Sequence, residues 1–280
     1  MRLSRLASPH KSPDLESRAL IEKSSLESLH ASRTEVHVWV VPIMLDDFQS
    51  RMFLAPLSDD EKAKAGRFVF GKDQRRFVTA HGALRLILGE YTGVDPSELS
   101  FAQGENGKPY LRPSPDGGDV LFNLSHSGDY ILIAVTKCLR VGVDIEAIRS
   151  NIEYREMSRK FFSPSECAWL ERQPLSKQVA AFFRLWVVKE AFLKATGVGL
   201  SDSLNEIAVT LASNGNAAVR YPHNDTPGTR WLAEEMNLVP GYASALVVEA
   251  GAQILKTWNL TQGGSGALQA SEGGLRVFAS

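Results

Sequence analysis

One segment limits the possible folds of this chain more than any other. Phe182, Phe183, Leu185, Val187, Phe192 and Leu193 fall within a single run that ends at Lys194. On a 3.6-residue helix they cover nearly every side, so a helix from about Ser176 to Ala195, closed by Gly197, has to be buried. Within it Trp186, Glu190 and Lys194 recur at i, i+4 and i+8 and share one stripe. Charges on a buried helix are costly unless they are paired or bound to a metal. The plain alternative is a Glu190–Lys194 pair on a solvated helix face, but the flanking residues leave no such face. Lys189 lies off the stripe and reads as half of a structural ion pair.

A second charged motif lies upstream, in Gly142-Val143-Asp144-Ile145-Glu146. Its β-branched residues predict a strand, and period-2 geometry puts Asp144 and Glu146 on one face with Val143 and Ile145 on the other. Two neighbouring carboxylates repel, and a divalent cation reverses that sign. Magnesium takes one or two carboxylates together with waters and phosphate oxygens, which this pair can supply. A solvated strand face near a sheet edge is the competing reading of the same motif.

Phe122-Asn123-Leu124-Ser125-His126-Ser127-Gly128 reads as a strand end beside a glycine turn. Ser125 and His126 are adjacent, so they face opposite ways and do not form a nucleophile–base pair. Donors at a strand end suit phosphate oxygens, although a hydrogen-bonded turn is the simpler role for Ser125. Asn106-Gly107-Lys108-Pro109 is a turn presenting a lysine, and Arg67, Arg75 and Arg76 on the early helices are candidates for an anion patch.

The rest of the pattern is mixed helix and strand. A strand is expected at Val36–Val41, a capping-box helix from Ser58 with Glu61 at N3, and a helix from Asp73 to Tyr91 stopped by Gly93. Strands are expected at 121–124, 130–135 and 141–146, a second capping box at Ser163-Pro164-Ser165-Glu166, and strands at 206–211, 230–235 and 242–248. Two halves, each with helices and an antiparallel sheet, indicate an α+β fold. The expected divisions are a flexible tail at 1–33, an N-terminal half at 34–148, a C-terminal half at 149–261 carrying the charged helix, and a flexible Gly-rich tail at 262–280.

Net charge is −1, which supplies no global basic field for nucleic acid. Two cysteines, Cys138 and Cys167, are too few for a disulfide framework and fit a reducing compartment. No stretch reads as a secretory signal or as a span of about 20 apolar residues, so the expectation is a cytoplasmic protein without a membrane partner.

Taken in order, these motifs resemble the 4′-phosphopantetheinyl transferase superfamily in its larger, Sfp-type branch. The resemblance runs from about residue 58 to 200: Arg67-Phe68, Asn106 to Pro109, Phe122 to Ser127, Gly142 to Glu146, Phe161 to Glu166, and Trp186 to Lys194 with Gly197 and Gly199. It implies two similar α+β halves in a pseudo-twofold arrangement, with coenzyme A in the cleft between them. It further implies transfer of the phosphopantetheine arm to a serine of an acyl or peptidyl carrier protein, releasing adenosine 3′,5′-bisphosphate, by a monomer.

By the same resemblance Asp144, Glu146 and Glu190 hold Mg²⁺ on the pyrophosphate. Glu190 accepts the serine proton, directly or through water, and Lys194 assists the leaving group. Ser125, His126 and Lys108 grip phosphates, and the 3′-phosphate falls to basic residues among Lys64, Arg67, Arg75 and Arg76. The family often has a basic residue where this chain has Glu61. Glu166 is read as a capping residue. The rival expectations are a metal-dependent phosphodiesterase using the same carboxylates, and a coenzyme A- or carrier-binding module without activity.

Overall fold

The computed structural model describes residues 31–43, 47–104, 106–112, 120–198, 202–221, 230–262 and 268–278. The expected N-terminal tail up to residue 30, Gly199, and the Gly263–Gly266 run lie outside the described residues. The α+β expectation agrees with the architecture, which is built from strands β1 (Glu35–Pro42), β2 (Phe101–Gln103), β3 (Pro109–Leu111), β4 (Val120–Ser127), β5 (Tyr130–Lys137) and β6 (Val141–Ala147), then β7 (Ala208–Leu211), β8 (Asn216–Arg220), β9 (Trp231–Glu235), β10 (Tyr242–Glu249), β11 (Ile254–Gln262) and β12 (Leu268–Val277). The helices are α1 (Asp47–Leu54), α2 (Asp59–Ala65), α3 (Gly71–Thr92), α4 (Tyr154–Phe161), α5 (Pro164–Glu171) and α6 (Leu175–Thr196). Helices α1 and α4 and strands β2, β3, β8, β11 and β12 were not expected from the sequence.

Two five-stranded sheets form, in the orders β12-β11-β1-β5-β4 and β6-β10-β9-β8-β7. Strand parity explains how they stack. In β1, Trp39 and Val41 pack toward α3 with Phe77, Leu84, Ile87 and Leu88. The alternate residues Val36, Val38 and Val40 pack with Val141, Val143 and Ile145 of β6 and Leu246 and Val248 of β10. The opposite face of β10, through Ala243, Ala245 and Val247, packs on Phe182, Val188, Ala191 and Phe192 of α6. The layers are therefore helix, sheet, sheet, helix, with the central strands β1, β5 and β10 buried on both faces.

The halves repeat one plan. In each, a short capped helix precedes a 22-residue helix that ends at a left-handed glycine, Gly93 (φ 71°) after α3 and Gly197 (φ 75°) after α6. Both capping boxes form: Ser58 with Glu61 on α2, and Ser163 with Glu166 on α5. Helix α6 approaches β6 so closely that a Cβ at Gly142 would overlap the Ala191 carbonyl and the Ala195 amide.

Two expectations are corrected. The halves do not divide at 148/149, because β6 pairs antiparallel with β10 and so opens the second sheet, while β11 returns to pair parallel with β1 in the first. Nor is 262–280 a flexible tail throughout: Leu268–Val277 forms β12, paired antiparallel with β11, with a register shift where Gly273 is inserted opposite Thr257/Trp258. No helix among the described residues is long and apolar enough to cross a membrane.

Candidate active site

Strand β6 presents Asp144 and Glu146 toward α6, as period 2 requires, with Val143 and Ile145 turned to the other sheet. Because α6 lies directly on β6, Lys194 reaches the strand: its Nζ donates to Asp144 Oδ1 at 2.6 Å and to Ser125 Oγ at 2.9 Å. Ser125 in turn donates to Asp144 Oδ1 at 2.7 Å, and Ser127 donates to Glu146 Oε2 at 2.7 Å. Asp144 is only 3% exposed, yet its Oδ2 is buried with no hydrogen-bond partner among the described residues.

An orphaned carboxylate oxygen at such depth is expensive in isolation. The titration behaviour of the cluster reflects that. Burial raises the Asp144 carboxyl against the pull of Lys194, and burial with repulsion from Asp144 raises Glu146 despite the Ser127 hydrogen bond. Glu190, one turn before Lys194, is pushed up to about 7 by burial and by repulsion from Asp144, which outweigh the attraction of Lys194. Three carboxyl groups, all resisting ionisation, lie within electrostatic reach of one lysine.

That donor set suits a hard divalent cation. No three His, Cys, Asp or Glu side chains among the described residues stand in a ready chelating geometry. Magnesium does not demand one, because it is commonly held through one or two carboxylates with water and substrate phosphate completing the octahedron. The unpartnered Asp144 Oδ2 is the oxygen such an ion would satisfy.

The remaining sequence candidates divide into three groups. Ser125 joins the carboxylates, 6% exposed, its hydroxyl engaged with Asp144, Lys194 and the Ile145 amide. His126 turns to the opposite face of β4 and lines a cleft with Phe68, Arg76, Phe77 and His81. Burial and the neighbouring charges of Arg76 and Lys194 hold its imidazole below the usual range. Arg76 reaches the Gly128 carbonyl at 3.4 Å, and Lys64 sits over the Phe77 ring at 5.1 Å, so both border that cleft. Arg67 is exposed beyond α2.

Lys108 is placed differently. Its ammonium donates to the Lys194 carbonyl, to Val141 O at 3.1 Å and to Ala195 O at 3.4 Å, tying the β2–β3 turn to the end of α6. Burial, with a smaller push from Arg140, lowers it to about 8. Its donors are spent on carbonyls at a helix C-terminus, a favourable place for a cation.

Glu61, which stands where a basic residue was expected, has a structural task. It caps α2 and accepts from Arg85 Nε at 2.7 Å and His81 at 3.2 Å, and these hydrogen bonds bring it down to about 2 against the burial cost. Glu166 does more than cap α5: it accepts from the Val209 amide at 2.6 Å and pairs with fully buried Lys189 at 2.8 Å. Lys189 is therefore the structural ion-pair partner expected. Ser127 and Asn123 were missed as site residues. The signal was present as polar residues at every second position of an otherwise apolar strand.

Comparison with known proteins falls on the same segments. A family model described as the 4′-phosphopantetheinyl transferase superfamily matches residues 140–247, and one described as 4′-phosphopantetheinyl transferase, N-terminal, matches residues 46–138. The chain is 40% identical over 177 residues to the 4′-phosphopantetheinyl transferase HetI of Nostoc sp., covering 63% of this chain and 74% of the relative. It is 36% identical over 206 residues to the 4′-phosphopantetheinyl transferase psf-1 of Bacillus pumilus, covering 72% and 84%. It is 29% identical over 202 residues to the 4′-phosphopantetheinyl transferase Sfp of Bacillus subtilis, covering 72% and 86%.

Proposed function

The chain belongs to the 4′-phosphopantetheinyl transferase superfamily and is an enzyme of that class, and from that premise we propose that Asp144, Glu146, Glu190 and Lys194 form the centre at which the arm of coenzyme A passes to a carrier-protein serine. The observation that carries the assignment is the buried, unpartnered Oδ2 of Asp144, set among carboxyls that resist ionisation and within reach of Lys194.

Asp144 and Glu146, with Glu190, are the residues that would hold Mg²⁺. When bound, the ion neutralises charge on the pyrophosphate oxygens. The carrier serine Oγ attacks the phosphorus that bears the pantetheine arm, the P–O bond to the nucleotide breaks, and adenosine 3′,5′-bisphosphate leaves. Glu190 takes the serine proton, directly or through water, and its place one turn before Lys194 on α6 orients it for that task. Lys194 stands ready to offset negative charge on the departing phosphate. His126, Arg76, Lys64 and Arg67 supply the basic side of the cleft for the 3′-phosphate, with Arg75 beside them on α3. Ser125 and Lys108 act from behind, Ser125 on Asp144 and Lys108 on the end of α6. Both halves come from one chain, which supports action as a monomer.

The test is incubation with coenzyme A, Mg²⁺ and apo carrier domains from fatty-acid, polyketide and peptide systems, followed by intact mass. A gain of one phosphopantetheine arm on the carrier is expected, lost in Asp144→Ala at unchanged circular dichroism. Full activity in Asp144→Ala refutes the site assignment.

A further inference from the structure

Strands β4 and β6 are the edges of different sheets, so each carries a row of backbone groups with no ladder partner among the described residues. They lie side by side, and the gap is bridged by side chains. Asn123 Oδ1 accepts from the Val143 amide at 2.8 Å, Ser125 Oγ from Ile145 at 3.4 Å, and Ser127 Oγ from Ala147 at 3.1 Å. All three pairs have the same offset of 20 residues, so the strands run parallel and the row advances two residues at a time on both. Three side-chain oxygens replace a missing ladder.

The two serines also act in the other direction. A hydroxyl accepts with its lone pairs and donates its proton. Ser127 accepts from Ala147 and donates to Glu146 Oε2, so one atom is tied to the backbone and to the carboxylate of the adjacent residue. Ser125 does the same between Ile145 and Asp144. Asp144 has Lys194 as a second tether. The one hydrogen bond described for the Glu146 carboxylate is that from Ser127.

We propose that Ser127 is a positioning residue for the metal centre: its hydroxyl sets the Glu146 carboxylate so that its other oxygen faces the space shared with Asp144 and Glu190. The inference rests on the reading of Asp144, Glu146 and Glu190 as cation ligands. Groups hydrogen-bonded to a ligating side chain commonly change metal affinity 10- to 100-fold when removed. Ser127 touches neither cosubstrate nor carrier in this scheme and acts through Glu146.

The experiment compares wild type, Ser127→Ala and Ser127→Thr, which keeps the hydroxyl. Mn²⁺ binding is measured by electron paramagnetic resonance and calorimetry without coenzyme A, and Mg²⁺-dependence of transfer is measured in parallel. Ser127→Ala is expected to weaken Mn²⁺ binding about tenfold and to raise the Mg²⁺ needed for half-maximal rate by a similar factor. The rate at saturating Mg²⁺ and the KM for carrier should stay within about threefold, and Ser127→Thr should restore both affinities. Wild-type cation affinity in Ser127→Ala overturns the proposal, as does a Ser127→Thr variant as impaired as the alanine. If Ser127→Ala does not fold, Ser127→Cys keeps the volume while removing the strong hydrogen bonds, and the same comparison decides. Transfer by wild type with no measurable cation binding removes the metal reading itself, a result distinct from intact binding in the variant.

Discussion

Glu190 shows what a single carboxyl can cost a fold. Its pKa in the folded chain lies at about 7, above the ordinary 4.5, because burial and Asp144 both oppose its charge. The folded state therefore holds a proton that the unfolded state releases. Its contribution to stability is fully present below pH 4.5 and is lost as pH rises through 7. In chelator, Glu190→Gln should accordingly melt higher than wild type at pH 8, with the gap closing toward pH 4. Transfer should fall by roughly 10²- to 10⁴-fold, the range of a general acid–base group. A melting difference that is flat with pH removes the cause assigned here. Part of this residue was legible in the sequence, because helical periodicity set it on one stripe with Trp186 and Lys194, although the fold leaves that stripe half-buried instead of removing it from solvent altogether. What periodicity does not carry is partnership across chain distance. Lys108 looked like a free phosphate donor and is instead bound to carbonyls of Val141, Lys194 and Ala195, which no local pattern announces.

At the scale of elements, the distance between α6 and β6 decides whether Glu190 and Lys194 meet the strand carboxylates. Gly142 sets that distance, since any side chain there collides with the helix backbone at Ala191 and Ala195. Gly142→Ala should destabilise the protein by about 1–3 kcal/mol through overpacking. It should reduce transfer far more than that loss of stability explains, read by comparing the melting midpoint with kcat at a temperature where the variant is folded. The elements were legible where they carry their own start and stop signals, as in both capping boxes and both glycine-closed helices. Strand β12 was not, because Glu272-Gly273-Gly274 breaks the alternation and its burial depends on β11. Which sheet β6 joins was equally hidden, since an apolar–acidic alternation suits either edge. Truncation after Gln262 should lower the melting midpoint by several degrees, because Leu268 and Ala270 belong to the same core as Trp258 and Leu260. An unchanged midpoint contradicts that role for β12.

For the molecule as a whole, acid is the revealing perturbation. His37 is fully buried, donates to or accepts from Tyr91 Oη at 2.6 Å, and is lowered to about 4 by burial and by Lys256. Below pH 6.5 the unfolded chain takes up a proton that the folded chain refuses, so stability falls between about pH 6.5 and 4. Glu61, held at about 2, adds a second loss from about pH 4.5 downward as its bonds to Arg85 and His81 fail. Denaturant titrations at a series of pH values should show the first loss flattened in His37→Gln and the second intact; an unaltered profile in that variant disproves the assignment. The two-half plan was legible as a fold class, whereas the exchange of strands between the halves was not, because it is a property of pairing rather than of pattern. That exchange has a temporal side. Strand β1 emerges from the ribosome near the start of the described chain, but its parallel neighbour β11 is made near the end. Strands β6 to β10 can assemble on α6 while synthesis continues, and the first sheet must wait, one edge of β1 uncovered, until the last strands arrive. During synthesis the half that is made second is thus the half that can be finished first.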